Sequence, residues 1–357
     1  MKIKNLHLEQ FMLFNAIDID WSSNINIISG NNNTGKTALL KIMYASSKAF
    51  HDVYNGKGEP TKEKCIETLV GKIDGIFRPD DNIVGRLVKR KQGSNRSEVK
   101  MLFDNNDSIE YGFGNRQVNR VDLLKTPNFD FKRIESIYIP PKEIISAMEN
   151  FESLYSEYHI ALEEMYYDLS RLLNRPLKKG PNTNEQNAVL GNFESILNGT
   201  VLFRNKKFYL YVKDMGLFEM GLVSEGFRKI STIMYLIQNG SLNKNSILFW
   251  DEPETNLNPK MIDPIVRALI ELAKMGVQIF ITTHDYFVQQ GFNMAASYPQ
   301  PKQKPLIYNF ISLYKEDENE VIQYECAKTL NELIHNPVLQ EFDDLYNKEQ
   351  EILNADN

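Results

Sequence analysis

Cysteines and long apolar runs are scarce in this sequence of 357 residues. The two cysteines, Cys65 and Cys326, are too few for a disulfide framework and too far apart for a pair of zinc ligands, so we expect a reducing cytoplasm. The longest apolar runs, 246–250 and 277–283, have the length of strands and cannot span a bilayer. The first residues carry a charge every few positions and do not resemble a signal peptide. We therefore expect a cytoplasmic protein with no membrane partner.

The composition is otherwise that of an ordinary globular chain. Charged residues make up 25% and hydrophobic residues 42%, which excludes a disordered chain and a collagen. The net charge of −6 is unevenly distributed: residues 315–357 hold twelve acidic and three basic residues, a net charge of −9, which leaves +3 on the other 314 residues. Because a globally acidic protein binds nucleic acid poorly, contact with DNA would require a local basic patch.

The pattern of apolar residues divides the chain into four segments. Residues 1–142 contain strand patterns and one helix, and residues 143–222 carry an apolar stripe with helical spacing, which predicts an inserted helical lobe. In residues 223–314 short apolar strands alternate with helices, which is typical of a parallel sheet. Residues 315–357 are predicted to form an acidic helical tail. We therefore expect an α/β core with an antiparallel β flank and an inserted helical lobe.

A basic stretch lies in a predicted hairpin of the first segment. Residues 83–91 and 97–104 are expected to pair across a turn at 92–95. The stretch has a net charge of +5 from six basic residues and one acidic residue: Arg86, Lys89, Arg90, Lys91, Arg96 and Lys100 against Glu98. Two interpretations stay open, a solvated sheet edge protected by charge and a contact with the phosphate backbone of DNA.

The sharpest motif is a phosphate loop between a predicted strand and a predicted helix. It fits G-x-x-x-x-G-K-[ST] at every position: Gly30, Asn31, Asn32, Asn33, Thr34, Gly35, Lys36 and Thr37, with Ala38 next in the helix. Glycines let the backbone curl with its N–H groups toward phosphates, and the helix points its positive end at the same place. We expect Lys36 to contact the β- and γ-phosphates and Thr37 to bind Mg²⁺.

Two acids follow an apolar strand farther along the chain. Asp251 and Glu252 lie at its carboxyl end, where the ligands of open α/β sheets bind. We expect Asp251 to hold Mg²⁺ through water, and Glu252 to orient and polarise the attacking water. His284 follows the next apolar strand, which places it beside the same edge of the sheet.

The order of these motifs resembles that of an ABC-type ATPase head, which is a P-loop NTPase core. The phosphate loop is followed by residues 223–226, then by Asp251 and Glu252, and then by His284. The sequence is similar to the RecF/SMC-like and OLD-like branch of prokaryotic AAA/ABC ATPases, found in DNA-repair and anti-phage defence systems. The resemblance covers residues 2–292, apart from much of the helical lobe.

This resemblance implies that two chains sandwich two ATP molecules, in a homodimer or a higher even oligomer. Ser224, Glu225 and Gly226 match the signature motif that closes over ATP bound to the other chain. Residues 254–259 match the loop that lies across the dimer interface. Apart from the resemblance, Ser224 precedes a helical pattern and would be a good helix N-cap, so both interpretations of this residue stay open.

The resemblance also supplies the catalytic set and the ligands. His284 matches the switch histidine that contacts the γ-phosphate, and it joins Lys36 and Glu252 as a catalytic residue, with ATP and Mg²⁺ bound. The family pattern is broken at Glu225, where many members carry glycine, and at Met12, where members often carry arginine. Members of the family carry a glutamine in a loop between the core and the helical lobe. Residues 139–143 are the candidate for that loop, because they lie at this junction.

We expect an ATPase that acts through another protein. The sequence after His284 holds no D-x-D motif and no second catalytic constellation, so further chemistry would come from a separate effector, such as a nuclease or a toxin. A regulatory ATPase of a prokaryotic anti-phage defence complex is the leading interpretation, and a RecF-like DNA-repair ATPase acting directly on DNA is the alternative. A transporter subunit is disfavoured by the long interruption between Thr37 and Ser224. Two docking surfaces are candidates: the acidic tail, and the tyrosines Tyr155, Tyr158, Tyr166 and Tyr167.

Overall fold

The structure is a computed structural model that describes residues 1–128, 134–158, 160–299, 305–315 and 321–355. Its strands are β1 (Ile3–Phe11), β2 (Phe14–Asp20), β3 (Ile25–Gly30), β4 (Arg96–Phe103), β5 (Ser108–Gly114), β6 (Asp122–Lys125), β7 (Glu135–Ile139), β8 (Gly199–Arg204), β9 (Lys207–Val212), β10 (Gly216–Glu219), β11 (Ser246–Asp251), β12 (Gln278–Thr282), β13 (Tyr308–Lys315) and β14 (Ile322–Ala327). Its helices are α1 (Lys36–Asn55), α2 (Lys62–Phe77), α3 (Phe151–Tyr158), α4 (Glu164–Leu173), α5 (Asn184–Leu197), α6 (Glu225–Gln238), α7 (Ile262–Lys274), α8 (Tyr286–Ser297) and α9 (Pro337–Ala355). Among the described residues, no helix combines the length and the apolar character that crossing a membrane requires.

The central sheet has the strand order β14-β13-β3-β12-β11-β7. Strands β13, β3, β12, β11 and β7 run parallel, and β14 pairs with β13 in the antiparallel direction. Every residue of β3, β11 and β12 is buried, because side chains on the two faces of the sheet belong to two separate hydrophobic clusters. The parallel sheet predicted from the strand and helix alternation is confirmed. The carboxyl ends of its middle strands meet at one edge.

The second sheet is the expected antiparallel flank, with the order β2-β1-β4-β5-β6, and α1 lies between it and the central sheet. On one side of α1, the hydroxyl of Ser46 lies 2.9 Å from that of Tyr111 on β5. On the other side, the ring of Tyr44 lies 5.3 Å from the ring of Tyr138 on β7. A helix held on both sides fixes the position of the phosphate loop at its amino end.

The predicted hairpin between residues 83–91 and 97–104 is wrong. Val84–Leu87 form a short 3-10 helix, and β4 pairs with β5 and β1. The turn from β4 to β5 contains Asn106, which has a φ of 64° and donates its N–H to the carbonyl of Phe103 at 3.0 Å. Asparagine tolerates this left-handed conformation better than most residues do, so the hairpin turn forms there.

The sequence pattern did not predict the short strands in residues 143–222 and 315–357. Residues 143–222 contain the helices α3, α4 and α5, but also a three-stranded antiparallel sheet in the order β10-β9-β8. Phe208 and Leu210 of β9 are buried while their neighbours are more exposed, which is the alternation of a half-buried strand. In residues 315–357, β14 extends the central sheet before α9 begins, so this segment is not helical throughout.

A buried ionic cluster joins α1 and α2 to α4 of the inserted lobe. The ammonium of Lys72 on α2 lies 2.8 Å from Asp168 Oδ1 and 2.6 Å from Glu164 Oε1, both on α4. The hydroxyl of Tyr44 on α1 donates to Asp168 Oδ2 at 2.8 Å. Burial disfavours the charged form of Lys72, but Asp168 and Glu164 outweigh burial and hold its pKa above the ordinary value. The cluster therefore connects the phosphate-loop helix to the lobe.

Removing the cation of this cluster is expected to destabilise the fold. In Lys72→Met the side-chain volume is kept while Asp168, which is 3% exposed, loses its charged partner. Because an unpaired buried charge is costly, we expect a loss of about 3–5 kcal/mol in the free energy of unfolding, measured in urea. The control is Lys100→Met, which breaks a half-exposed pair with Glu110 and should cost less than about 1 kcal/mol. Equal losses in the two variants would contradict this account of the cluster.

Candidate functional site

The phosphate loop connects β3 to α1 in a conformation that two glycines make possible. Gly30 has a φ of 145° and Gly35 a φ of 93°. A Cβ atom on Gly30 would lie 2.3 Å from the carbonyl oxygen of Leu313, and one on Gly35 would lie 2.4 Å from the ring of Phe14. Neither position tolerates a side chain, because backbone atoms occupy the space beside Gly30 and a buried ring occupies the space beside Gly35. The predicted strand, loop and helix are all present.

The side chain of Lys36 folds back over this loop. Its ammonium donates to the carbonyl of Gly30 at 2.9 Å and to that of Asn31 at 2.8 Å. Burial lowers the pKa of Lys36 to about 8, although Glu252 and Asp251 favour the charged form. A mobile cation therefore lies at the amino end of α1, where the free backbone N–H groups of a helix attract anions.

Asp251, at the end of β11, receives hydrogen bonds from three hydroxyl groups. The hydroxyl of Thr37 donates to Oδ1 at 3.1 Å, that of Thr282 donates to Oδ1 at 2.5 Å, and that of Tyr138 donates to Oδ2 at 3.0 Å. Burial raises the pKa of Asp251, and the three hydrogen bonds oppose that rise. The adjacent oxygens of Thr37 and Asp251 are hard donors of the kind that Mg²⁺ prefers, so the residues present fit this ion.

Glu252 and His284 face each other beside Asp251. Glu252 has a φ of 48°, a left-handed conformation that is unusual outside glycine, and its N–H donates to the hydroxyl of Thr282 at 3.1 Å. Its Oε1 lies 3.4 Å from His284 Nε2, and both side chains are about one-third exposed. Burial and the nearby Lys36 lower the pKa of His284, although Glu252 favours its protonated form.

A third acid holds His284 in place. Glu254 Oε1 accepts hydrogen bonds from the hydroxyl of Thr283 at 2.7 Å and from the N–H of His284 at 2.9 Å. Burial raises the pKa of Glu254. The sequence pattern predicts only that Glu254 lies in the loop after the two acids, and it predicts no role for Tyr138 or Thr282. Their position at the ends of apolar strands was the available signal.

The signature residues lie at the start of α6, against the loop that follows Glu252. Glu225 Oε1 accepts from the side-chain amide of Asn256 at 3.2 Å, and a Cβ on Gly226 would lie 2.8 Å from Leu257 Cδ2. Ser224 is exposed at the N-cap position, but within the described chain its hydroxyl makes no capping hydrogen bond. The predicted N-cap position of Ser224 is therefore confirmed, but its hydroxyl does not act as the cap.

The structure brings the predicted phosphate-loop, acidic and histidine residues together, but residues 224–226 lie apart from them. Lys36, Thr37, Asp251, Glu252 and His284 share the carboxyl edge of the central sheet. In the part of the chain that the structure describes, no hydrogen bond joins residues 224–226 to residues 30–38.

Two further sequence candidates have partners outside the phosphate loop. Residues 139–143 follow β7 at the same sheet edge, but the carboxylate of Glu143 lies 2.7 Å from the guanidinium of Arg228 on α6. Met12 lies in the turn between β1 and β2, where its N–H donates to the carbonyl of Leu87. Phe14, two residues later, is the one whose ring packs on Gly35.

Most cations of the basic stretch are engaged within the chain. Arg86 lies 3.4 Å from Asp80, Arg96 lies 2.6 Å from Asp122, and Lys100 lies 3.6 Å from Glu110. The ammonium of Lys89 donates to the carbonyl of Leu13 at 2.7 Å. These acidic partners lie outside residues 86–100. The net charge of +5 for that stretch therefore exceeds the positive charge that is available to bind DNA.

Comparison with known proteins places this site in a family. The model of the family described as "AAA domain, putative AbiEii toxin, Type IV TA system" matches residues 25–288. The chain is 44% identical over 52 residues to the DNA replication and repair protein RecF of Clostridium acetobutylicum, and 39% identical over 49 residues to the energy-coupling factor transporter ATP-binding protein EcfA of Methanothermobacter thermautotrophicus. Both segments cover 14% of this chain, and they cover 14% and 16% of those proteins.

Solved structures give the same fold over nearly the whole chain. The chain is similar to an SMC head bound to the C-winged helix domain of ScpA, with a TM-score of 0.54, 13% identity, and 93% of this chain and 99% of that chain covered. It is also similar to an SMC head domain with an extended coiled coil, bound to the C-terminal domain of ScpA derived from Pyrococcus furiosus, with a TM-score of 0.51, 10% identity, and 98% and 99% covered. The chain belongs to the AAA-domain family whose model it matches, and its fold is that of an ABC-type P-loop NTPase head.

Proposed function

We propose that this protein binds ATP with Mg²⁺ and hydrolyses it in a site shared by two chains, and that the resulting movement controls a separate effector. The observation that carries the proposal is the contact between Thr37 and Asp251, with Glu252 beside it, at the end of the phosphate loop. These residues come from two distant parts of the sequence. Their meeting at one sheet edge produces the constellation that phosphoryl transfer to water requires.

In the proposed complex the phosphates lie in the loop at the amino end of α1. Backbone N–H groups and the ammonium of Lys36 neutralise the phosphate charge. Lys36 exchanges its bonds to the carbonyls of Gly30 and Asn31 for bonds to the phosphates. Thr37 and Asp251 hold Mg²⁺, which supplies charge neutralisation between the β- and γ-phosphates when it is bound.

Glu252 is the proposed group that orients the attacking water and polarises it. Its carboxylate is held by the hydroxyl of Thr255 at 3.2 Å, and it is one-third exposed, so water can reach it. His284 lies on the same side, with its backbone fixed by Glu254, and it is the proposed contact to the γ-phosphate. The lowered pKa favours the neutral ring of His284, and a neutral ring still carries one N–H that can donate to the γ-phosphate.

The second half of the site is proposed to come from the partner chain. Ser224 is exposed, its hydroxyl caps no helix N–H in the described residues, and the start of a helix attracts anions. A symmetric dimer that places Ser224 of each chain on the ATP of the other would use this surface twice. A homodimer or a higher even oligomer is the assembly that this arrangement requires.

Glu252→Gln is expected to separate binding from hydrolysis. The amide cannot polarise water, while Asp251 and Thr37 are unchanged, so we expect turnover to fall about 100-fold or more with ATP affinity retained. Lys36→Ala should instead weaken ATP affinity about 10–100-fold, because a charge-assisted hydrogen bond to phosphate is lost. Steady-state turnover and equilibrium nucleotide binding measure the two effects. Turnover near the wild-type value in Glu252→Gln would contradict the assignment.

Mixing two inactive variants tests the shared site. Lys36→Ala retains the signature and Ser224→Arg retains the phosphate loop, so a mixed dimer has one intact site. Random exchange makes half of the dimers mixed, each with one intact site of two, so activity should recover to at most about one quarter of the wild-type value. Each variant alone is the control and should remain inactive. A Ser224→Arg chain that hydrolyses ATP at the wild-type rate by itself would show that Ser224 does not act in the partner's site.

The effector is proposed to dock on α9. This helix holds five acidic residues and one basic residue, and Phe342, Leu345 and Tyr346 are 53%, 56% and 61% exposed. On the other candidate surface Tyr158 is 72% exposed, but the rings of Tyr155 and Tyr167 stack on each other with centroids 4.8 Å apart, so fewer tyrosines are available to a partner. An acidic helix with an exposed apolar stripe complements a basic partner and repels a second copy of itself. A nuclease or toxin with a basic docking segment is therefore the proposed occupant.

Helix α9 contacts α8, the helix that begins two residues after His284. The ring of Phe342 lies 5.1 Å from that of Tyr286, the first residue of α8, and Asn336 donates to the side chain of Gln289 at 2.8 Å. A change at the γ-phosphate that moves His284 is proposed to reach the docking helix through α8. The family description names a toxin of a toxin–antitoxin system, and this supports a role in a prokaryotic anti-phage defence complex.

A substitution on α9 should abolish binding of the effector. We expect the wild-type chain to co-purify with the protein encoded by the neighbouring gene, and Leu345→Asp to lose that protein, because a charge interrupts the apolar stripe. Leu177→Asp is the matched control, since Leu177 is equally exposed, at 57%, outside α9. Retention by Leu345→Asp would exclude α9 as the docking surface.

A RecF-like DNA-repair ATPase acting directly on DNA is the second candidate. The identity of 44% to a RecF protein favours it, although only over 52 residues. The ion pairs of Arg86, Arg96 and Lys100 weigh against it. If no neighbour binds, and duplex DNA stimulates hydrolysis with a steep dependence on salt, this second candidate is preferred.

A further inference from the structure

Lys229 is a buried lysine of α6 that the proposed chemistry does not use. It lies one turn after the signature residues and is 1% exposed. Its ammonium donates to the carbonyl of Thr255 at 2.6 Å and to that of Pro253 at 3.4 Å. Burial lowers the pKa of Lys229, while Glu225 and Glu254 oppose that change. Lys229 is therefore a buried cation whose hydrogen bonds go to two backbone carbonyls.

Packing alone does not explain a lysine at this position. Burial of an ammonium is costly unless hydrogen bonds compensate for the lost water, and an apolar side chain of similar length would fill the same space without that cost. The compensation here comes from two carbonyls of one loop, residues 253–255. The lysine therefore fixes that loop relative to α6.

The loop held by Lys229 determines the direction of Glu252. The residues on either side of it adopt left-handed backbone conformations, Glu252 with a φ of 48° and Asn256 with a φ of 61°. The N–H of Thr255 donates to the carbonyl of Glu252 at 3.1 Å, which closes a tight turn. Such conformations persist only where surrounding contacts enforce them. The carbonyls that Lys229 holds lie between the two strained residues.

Two more contacts bind the first turn of α6 to the same loop. The amide of Asn256 donates to Glu225, and Gly226 packs so closely on Leu257 that a Cβ would lie 2.8 Å from it. The start of α6 and the loop are therefore fixed to each other by three contacts. Displacement of one implies displacement of the other.

We propose that Lys229 is a positioning residue, which holds the loop after Glu252 so that the carboxylate of Glu252 faces the nucleotide and which couples this loop to the signature helix. The inference rests on the proposed function. When the start of α6 contacts ATP bound to the partner chain, the movement reaches Glu252 of its own chain through Lys229. Hydrolysis in one site thereby depends on the nucleotide in the other.

The test is the turnover of Lys229→Met in the full-length chain. The variant keeps the length of the side chain and removes the donors, so we expect kcat to fall about 10–100-fold, because a catalytic group displaced by about 1 Å loses that much. ATP affinity should change less than about twofold, since the phosphate loop is untouched. In the Glu252→Gln background the same substitution should have no further effect on kcat, because the group that Lys229 positions is already gone.

Controls separate a positioning role from a structural one. Thr232→Val, on the same helix, removes a hydroxyl whose hydrogen bond among the described residues is to the carbonyl of Arg228 within α6, and it should leave kcat unchanged. Lys229→Arg keeps a cation and donors and should restore kcat to within a few-fold of wild type. Lys229→Leu is measured in parallel, because its smaller side chain also lacks donors and provides a folded variant if the methionine does not.

Two outcomes have different meanings. A wild-type kcat in folded Lys229→Met or Lys229→Leu would overturn the positioning role. If the wild-type chain itself hydrolyses ATP no faster than Lys36→Ala, the proposed ATPase function fails, and the inference about Lys229 fails with it.

Discussion

The carboxylate of Asp251 is the point on which the site depends. Hydroxyl groups from α1, β12 and β7 all donate to this one acid at the end of β11. A buried carboxylate is costly without such partners, so the three hydrogen bonds and the burial of Asp251 require each other. Any shift of α1 relative to the sheet would break the bond from Thr37. The phosphate loop and the acidic strand end are therefore held in register by one side chain.

The same helix transmits this constraint to the rest of the molecule. Helix α1 lies between two sheets, and its Tyr44 reaches Asp168 in the inserted lobe. On the other side of the site, Arg228 joins α6 to Glu143 at the start of that lobe, and Lys229 joins α6 to the loop after Glu252. The nucleotide edge, the signature helix and the lobe are thus linked by polar contacts between buried or partly buried groups. Such contacts give a change at the phosphates a short path to distant surfaces.

Local patterns in the sequence were enough to predict the phosphate loop, the parallel strands and the two acids, because each lies within a short run with its own geometric signature. Contacts made by tertiary packing were not predictable in this way. Tyr138 lies 113 residues from Asp251, and nothing in its own strand indicates that its hydroxyl reaches that acid. The wrong hairpin has the same origin, since pairing of β4 with β1 and β5 is decided by burial of a whole sheet face. Ser224 matched a capping pattern that the folded chain does not use.

A structure of the Glu252→Gln protein with ATP and Mg²⁺ would show whether two chains enclose the nucleotide at the phosphate loop. We expect the ammonium of Lys36 to leave the carbonyls of Gly30 and Asn31 for the phosphates, and Mg²⁺ to lie against Thr37 and Asp251. We also expect Ser224 of a second chain to contact the same nucleotide. ATP bound away from the phosphate loop, or a nucleotide enclosed by one chain alone, would contradict this arrangement.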